Sequence, residues 1–138
     1  MLHGIYGSGR NWGSIARRLV DARPEWGVLL VDLRLHGASR EGFQGPHTLA
    51  AAAADVDALV AELDFHAVAV LGHSFGGKVA LVYTRHHGKE LKQSWVIDST
   101  LRVRDPDGSV AGYAALPGKQ VVPEVLGALA DWLAAKLR

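Results

Sequence analysis

Ser74 lies in Gly72-His73-Ser74-Phe75-Gly76, a single hydroxyl between two glycines, directly after the apolar run Val68-Ala69-Val70-Leu71. A serine at the apex of a tight strand-to-helix turn exposes its hydroxyl on a strained backbone, and this is how G-x-S-x-G sequences present a nucleophile for acyl transfer. The flanking glycines are then a steric requirement, because side chains at Gly72 and Gly76 would collide with the adjoining strand and helix. A helix opening at Phe75 turns its first N–H groups and the positive end of its dipole toward the same point.

Acyl transfer also needs donors for the oxyanion of the tetrahedral intermediate. The backbone N–H of Phe75 is one candidate. The second is the N–H of Ile5, in the glycine-rich stretch His3-Gly4-Ile5-Tyr6-Gly7-Ser8-Gly9. Gly4 lets that backbone approach a substrate closely, and His3 is expected to hold the loop by hydrogen bonds. His73, next to the nucleophile, belongs to the framework of the turn.

These residues are positioned by alternating strands and helices. Asn11 is placed to cap a helix with Trp12, Ile15, Ala16, Leu19 and Val20 on one face, ending near Pro24. Residues 27–32 form a nearly continuous apolar run ending at Asp32, the pattern of a strand covered on both faces. A loop over 33–46 follows. Thr48 caps an alanine-rich helix with Leu49, Ala52, Val56, Leu59, Val60 and Leu63 at helical spacing. Strands are expected at 67–71 and 94–97, with a helix from Phe75 to about His86, stopped by Gly88. Ser99 to Gln120 is rich in turn residues, and Pro123 opens an amphipathic helix.

This order predicts an α/β fold, a mainly parallel sheet flanked by helices, in one domain over 1–138. Sites in such sheets form at the carboxyl ends of the strands. His3-Gly4, Asp32, Ser74 and Asp98 all fall at such ends.

The 138 residues carry a formal net charge of +1 with acidic and basic residues interspersed, so no basic stripe points to nucleic acid. There is no cysteine, which excludes a disulfide framework, a thiolate metal site and a cysteine nucleophile. Asp55, Asp57, Glu62 and Asp64 interrupt the longest apolar stretch, so no membrane span is expected.

Taken together, the motifs resemble those of α/β-hydrolases. Besides the turn at Ser74, the chain carries the His3-Gly4 loop and Asp32-Leu33-Arg34-Leu35-His36-Gly37-Ala38-Ser39, similar to the family's D-x-R-x-H-G-x-S signature. With Trp95-Val96-Ile97-Asp98-Ser99-Thr100, the chain most resembles the esterase and thioesterase-like branch of abhydrolase-domain proteins. The resemblance implies a small acyl ester or thioester as substrate, no metal and no organic cofactor. It implies that Asp98 orients a catalytic histidine, and that 99–138 holds a connection and the start of a cap. Asp32 and His36 are read as loop-ordering residues.

The family runs Ser, acid, His in chain order, yet no histidine follows His87. His73 adjoins the serine on a sharp turn, where neighbouring side chains point apart. His86 and His87 fall about 18 Å along the helix. The strand ending at Leu2 is expected to be central, between those of Asp32 and Ser74. The chain is therefore read as an incomplete hydrolase domain, lacking the start of one strand and a base.

Two other readings begin from the same residues. Gly72 to Lys78 is also G-x-x-x-x-G-K, a phosphate-binding loop, but Val79 stands where that motif needs a metal-binding hydroxyl. The missing histidine also suits a non-catalytic ligand-binding or partner-binding hydrolase-fold protein. Lys78 is one helical turn from Ser74 and is expected to lean away from the active edge.

Overall fold

The computed structural model describes residues 1–87 and 91–99. Gly9–Trp12 form a single 3-10 turn that runs into helix α1, Gly13–Ala22. Helix α2 is Leu49–Glu62 and strand β1 is Ala69–His73. Helix α3, Phe75–His87, and strand β2, Gln93–Ile97, complete the regular elements.

β1 and β2 pair in parallel, with Leu71 opposite Trp95 and His73 opposite Ile97. On the other edge of β1, Leu2 makes parallel bridges to both Gly72 and Val31. The lateral order is therefore Val31, Leu2, β1, β2, and Leu2 occupies the central position expected of it. Leu2 N–H donates to Leu71 O at 2.7 Å and His73 N–H to Leu2 O at 3.1 Å. These bonds fix the His3-Gly4 loop beside the turn at Ser74.

The run 27–32 does not form the full strand expected of it; among the described residues its ladder contact is at Val31 alone. Pairing is a property of two backbones, and among the described residues Leu2 is the partner that Val31 meets. Val31 N–H donates to Met1 O at 3.2 Å, and the Met1 amino group donates to Leu29 O at 2.6 Å. β1 also continues two residues past the expected end at Leu71, because Ser74 N–H still donates to Ile97 O at 2.9 Å. The stop at Gly88, the connection and cap over 99–138 beyond Ser99, and the helix from Pro123 lie outside the described residues.

Alternation along β1 sorts the core onto two faces. Val70 packs with Leu2, Leu33, Ala52, Val56, Phe75, Val79 and Tyr83, which draws in α2 and α3. Leu71 packs with Trp12, Ile15 and Leu19 of the α1 side. Helices thus cover both faces of a parallel sheet.

Two helix starts illustrate local control. Thr48 caps α2 as expected, its Oγ1 accepting from Ala51 N–H at 3.1 Å. Asn11 does not cap α1. It lies inside the 3-10 turn, where its Oδ1 accepts from Ser8 N–H at 2.8 Å, so Ser8 takes the cap position. The chain enters α1 through a 3-10 turn whose own cap, Ser8, lies three residues upstream of Asn11.

Candidate active site

Ser74 joins β1 to α3 with φ = +52°, a left-handed conformation that costs a non-glycine residue about 1–2 kcal/mol. The neighbouring glycines account for its persistence. A Cβ on Gly72 would lie 2.1 Å from Gly76 O, and one on Gly76 would lie 2.5 Å from both Leu2 O and His3 O. The strand, the helix and the Leu2-His3 backbone therefore meet at van der Waals distance, as the sequence required of Gly72 and Gly76.

The loop at Gly4 lies against this turn. A Cβ on Gly4 would lie 3.0 Å from His73 Nδ1 and 3.5 Å from the Cβ of Ser74. His3, only 1 % exposed, determines how the loop is presented. Its Nε2 faces Leu33 N–H at 3.0 Å and must accept. Its Nδ1 lies 2.7 Å from Gly4 O, which can only accept, so Nδ1 carries the proton and the ring is neutral. Burial holds the His3 pKa below the ordinary imidazole value, consistent with that state.

Gly4 O also accepts from Gly7 N–H at 2.9 Å. In a trans peptide the N–H points opposite to the carbonyl. Holding Gly4 O from two sides therefore directs the Ile5 N–H the other way, out of the loop. Phe75, the other residue expected to offer an N–H, is the first residue of α3 and its side chain is buried. The N–H of Ser74 itself is occupied by Ile97 O.

Asp98 follows the last residue of β2 at φ = +45°, a second non-glycine residue in the left-handed region at a strand end. Its side chain is 89 % exposed, and Oδ2 lies 3.9 Å from His73 Nε2. This pairing was not legible in the sequence. Register supplies it, because His73 is level with Ile97 and Asp98 is the next residue. The 3.9 Å separation is electrostatic contact rather than a hydrogen bond.

Two residues of the Asp32 to Ser39 segment tie loops together. The Asp32 carboxylate accepts from Ala38 N–H at 2.7 Å and Gly9 N–H at 2.6 Å, and those two donors, Ala38 first, hold its pKa below the ordinary aspartate value. Arg34 makes a two-pronged pair with Asp55 of α2, at 2.6 and 2.8 Å, and also donates to Pro46 O at 3.0 Å. That pair raises the Arg34 pKa. Of the rival motifs, Lys78 is buried, and Val79 sits wholly inside the core.

A cavity of about 580 Å³ lies among Val28, Leu29, Val60, Phe65, Val68 and Trp95. Neither Ser74 nor Asp98 lines it. Sites in parallel sheets form at the carboxyl ends of strands, and this cavity reaches residues that precede β1 and β2. It is apart from the candidate chemistry.

The sequence pattern of the alpha/beta hydrolase fold matches residues 1–136. The chain belongs to the α/β-hydrolase family. This α/β-hydrolase is 33 % identical over 119 residues to the sn-1-specific diacylglycerol lipase ABHD11 of Xenopus tropicalis, a match covering 83 % of the chain and 35 % of the lipase. It is 32 % identical to a marine microorganism esterase of known structure, with TM-score 0.62 over 82 % of the chain and 42 % of the esterase. A hydrolase from Pseudomonas aeruginosa shares the fold, with TM-score 0.61 and 23 % identity over 99 % of the chain and 56 % of that protein. The α/β-hydrolase chain described here thus spans about a third to a half of the length of these relatives. No helix among the described residues is long and apolar enough to cross a membrane.

Proposed function

We propose that this α/β-hydrolase chain carries the nucleophile and oxyanion-binding part of a serine hydrolase acting on a carboxylic ester or thioester of a small acyl group. The observation that carries the reading is Ser74 at φ = +52° between two glycines that admit no side chain, at the carboxyl end of a parallel strand. Strain of this kind is kept where surrounding structure over-determines it, and it clusters at reactive residues. The lipase and esterase relatives, both named for carboxylic ester hydrolysis, support the substrate class.

In this reading Ser74 Oγ forms a bond to the acyl carbon, and the carbonyl oxygen takes up negative charge facing the Phe75 and Ile5 N–H groups. The C–O or C–S bond then breaks, and the leaving group departs with the proton lost by the serine. Water repeats the sequence on the acyl-enzyme, releasing the acid and restoring Ser74. Asp98 orients the histidine that moves these protons in the whole protein. No metal or organic cofactor takes part.

A second reading is a hydrolase-fold protein that binds without catalysis. One observation favours it: among the described residues His73 is engaged with Asp98, and no imidazole is hydrogen-bonded to the Ser74 hydroxyl. Reactivity separates the two. A fluorophosphonate probe is expected to label the chain at Ser74, with label absent from Ser74→Ala. A whole protein, carrying the histidine that Asp98 orients and folded by circular dichroism, that takes no label rejects the nucleophile and leaves the binding protein.

A further inference from the structure

We infer that His36 is a positioning residue for acyl transfer at Ser74, holding the backbone that presents the Ile5 N–H; this rests on the nucleophile reading above. His36 is 31 residues from Ile5 in sequence, yet its Nε2 meets the Ile5 carbonyl oxygen. With Nε2 donating to Ile5 O, the neutral ring has no second N–H, and its Nδ1 lies 2.9 Å from Arg34 O within its own loop. The ring centroid is 5.1 Å from that of His3 and 6.1 Å from that of Phe75, the latter nearly parallel at 28°. One imidazole therefore touches the Ile5 carbonyl, the ring that holds the Gly4 carbonyl, and the side chain of the other residue proposed as a donor.

The consequence follows from peptide geometry. The direction of the Ile5 N–H depends on the Gly4–Ile5 plane, and the only soft torsions joining that plane to the next are those of Ile5. His3 and Gly7 hold the first plane by Gly4 O. His36 holds the second plane by Ile5 O. With both planes fixed, the N–H has no free torsion by which to swing away from the developing oxyanion.

The loop bearing His36 is built to be stiff. Leu35 sits at φ = +65°, its N–H donates to Ser39 O at 2.7 Å, and Ser39 N–H returns to His36 O at 2.8 Å. Gly37, at φ = +51°, packs on the Asp32 carboxylate so closely that a Cβ there would lie 2.2 Å from Oδ2. A leucine kept in the left-handed region marks a turn whose shape is imposed by its surroundings. These contacts place His36 on a rigid support, as a positioning group needs.

The test is the second-order rate at which a fluorophosphonate modifies Ser74, a step in which the Ser74 Oγ–P bond forms, fluoride leaves and the hydroxyl proton passes to buffer. Wild type, His36→Ala and His36→Gln are compared, with Ser74→Ala as the blank and circular dichroism to verify folding. Misplacing one oxyanion donor predicts a His36→Ala rate roughly 10–100-fold below wild type. His36→Gln keeps an N–H donor for Ile5 O and is expected to recover most of that loss, which a purely steric role would not produce. Should His36→Ala fail to fold, His36→Phe keeps the ring against Phe75 without the donor and is expected to be slow. Labelling of a folded His36→Ala or His36→Phe at the wild-type rate, or a folded Gln variant as slow as Ala, overturns the inference while the nucleophile stands. A folded wild-type whole protein that takes no label overturns the nucleophile reading and the inference with it.

Discussion

Gly72 and Gly76 approach so closely that a Cβ on Gly72 would fall 2.1 Å from the Gly76 carbonyl oxygen. The obstruction is backbone, which cannot rotate out of the way as a side-chain tip can. Gly72→Ala is therefore expected to destabilise the fold by about 3 kcal/mol or more, the upper end of overpacking costs. Gly13→Ala is the control. Gly13 opens α1 at φ = −55°, and a methyl group added there would meet nothing within 4 Å, so the same change should be neutral or stabilising by up to about 1 kcal/mol. Urea unfolding of the two variants checks the contrast.

Ser74→Gly should raise stability while removing reactivity. The left-handed backbone at φ = +52° costs serine about 1 kcal/mol that glycine does not incur. An upward shift in the urea midpoint together with loss of fluorophosphonate labelling is the expected pair of results. Unchanged or lowered stability would show that the turn is not strained at this residue.

The His3 ring supplies a pH dependence. Its folded-state pKa lies below the unfolded value, so above about pH 6.5 both states are neutral and the group contributes no slope. As pH falls below about 6.5 the unfolded chain takes up a proton that the folded chain resists, because protonated Nε2 could no longer accept from Leu33 N–H. Stability should then fall with a limiting slope of about 1.4 kcal/mol per pH unit from this one site. His3→Asn lacks the titrating ring, and the difference between its stability–pH curve and that of wild type between about pH 5 and 8 isolates the effect. Parallel curves would contradict it.

Arg34 and Asp55 are expected to be coupled more strongly than an ordinary surface pair. The guanidinium is 8 % exposed and meets both carboxylate oxygens, and its third contact reaches Pro46 O. A double-mutant cycle with Arg34→Lys and Asp55→Asn should give a coupling of about 1 kcal/mol or more, against the roughly 0.2–1 kcal/mol typical of exposed pairs. Lysine keeps the charge but not the fork, so Arg34→Lys alone should already lose most of it.

The turn at Ser74 was legible in the sequence because everything it needs lies within a dozen consecutive residues: the apolar strand, two glycines and the start of a helix. Thr48 could be read as a cap for the same reason, since its partner is Ala51. The α/β layering and the central place of Leu2 followed from alternating elements and the resemblance to hydrolases. Other features depended on partners far along the chain. The run 27–32 has the composition of a strand, but pairing is a property of two backbones, and only Val31 found a bridge, to Leu2. Asp98 meets His73 through the register of β1 and β2, and Arg34 meets Asp55 across 21 residues. His36 reaches the Ile5 carbonyl only because Leu2 pairs on both sides and draws the two loops together. Residue types and local spacing determined where Ser74, the proposed nucleophile, stands and what backbone conformation that turn needs. Tertiary pairing decided which imidazoles hold the Gly4 and Ile5 carbonyls, because the His36 contact joins segments that no local pattern connects.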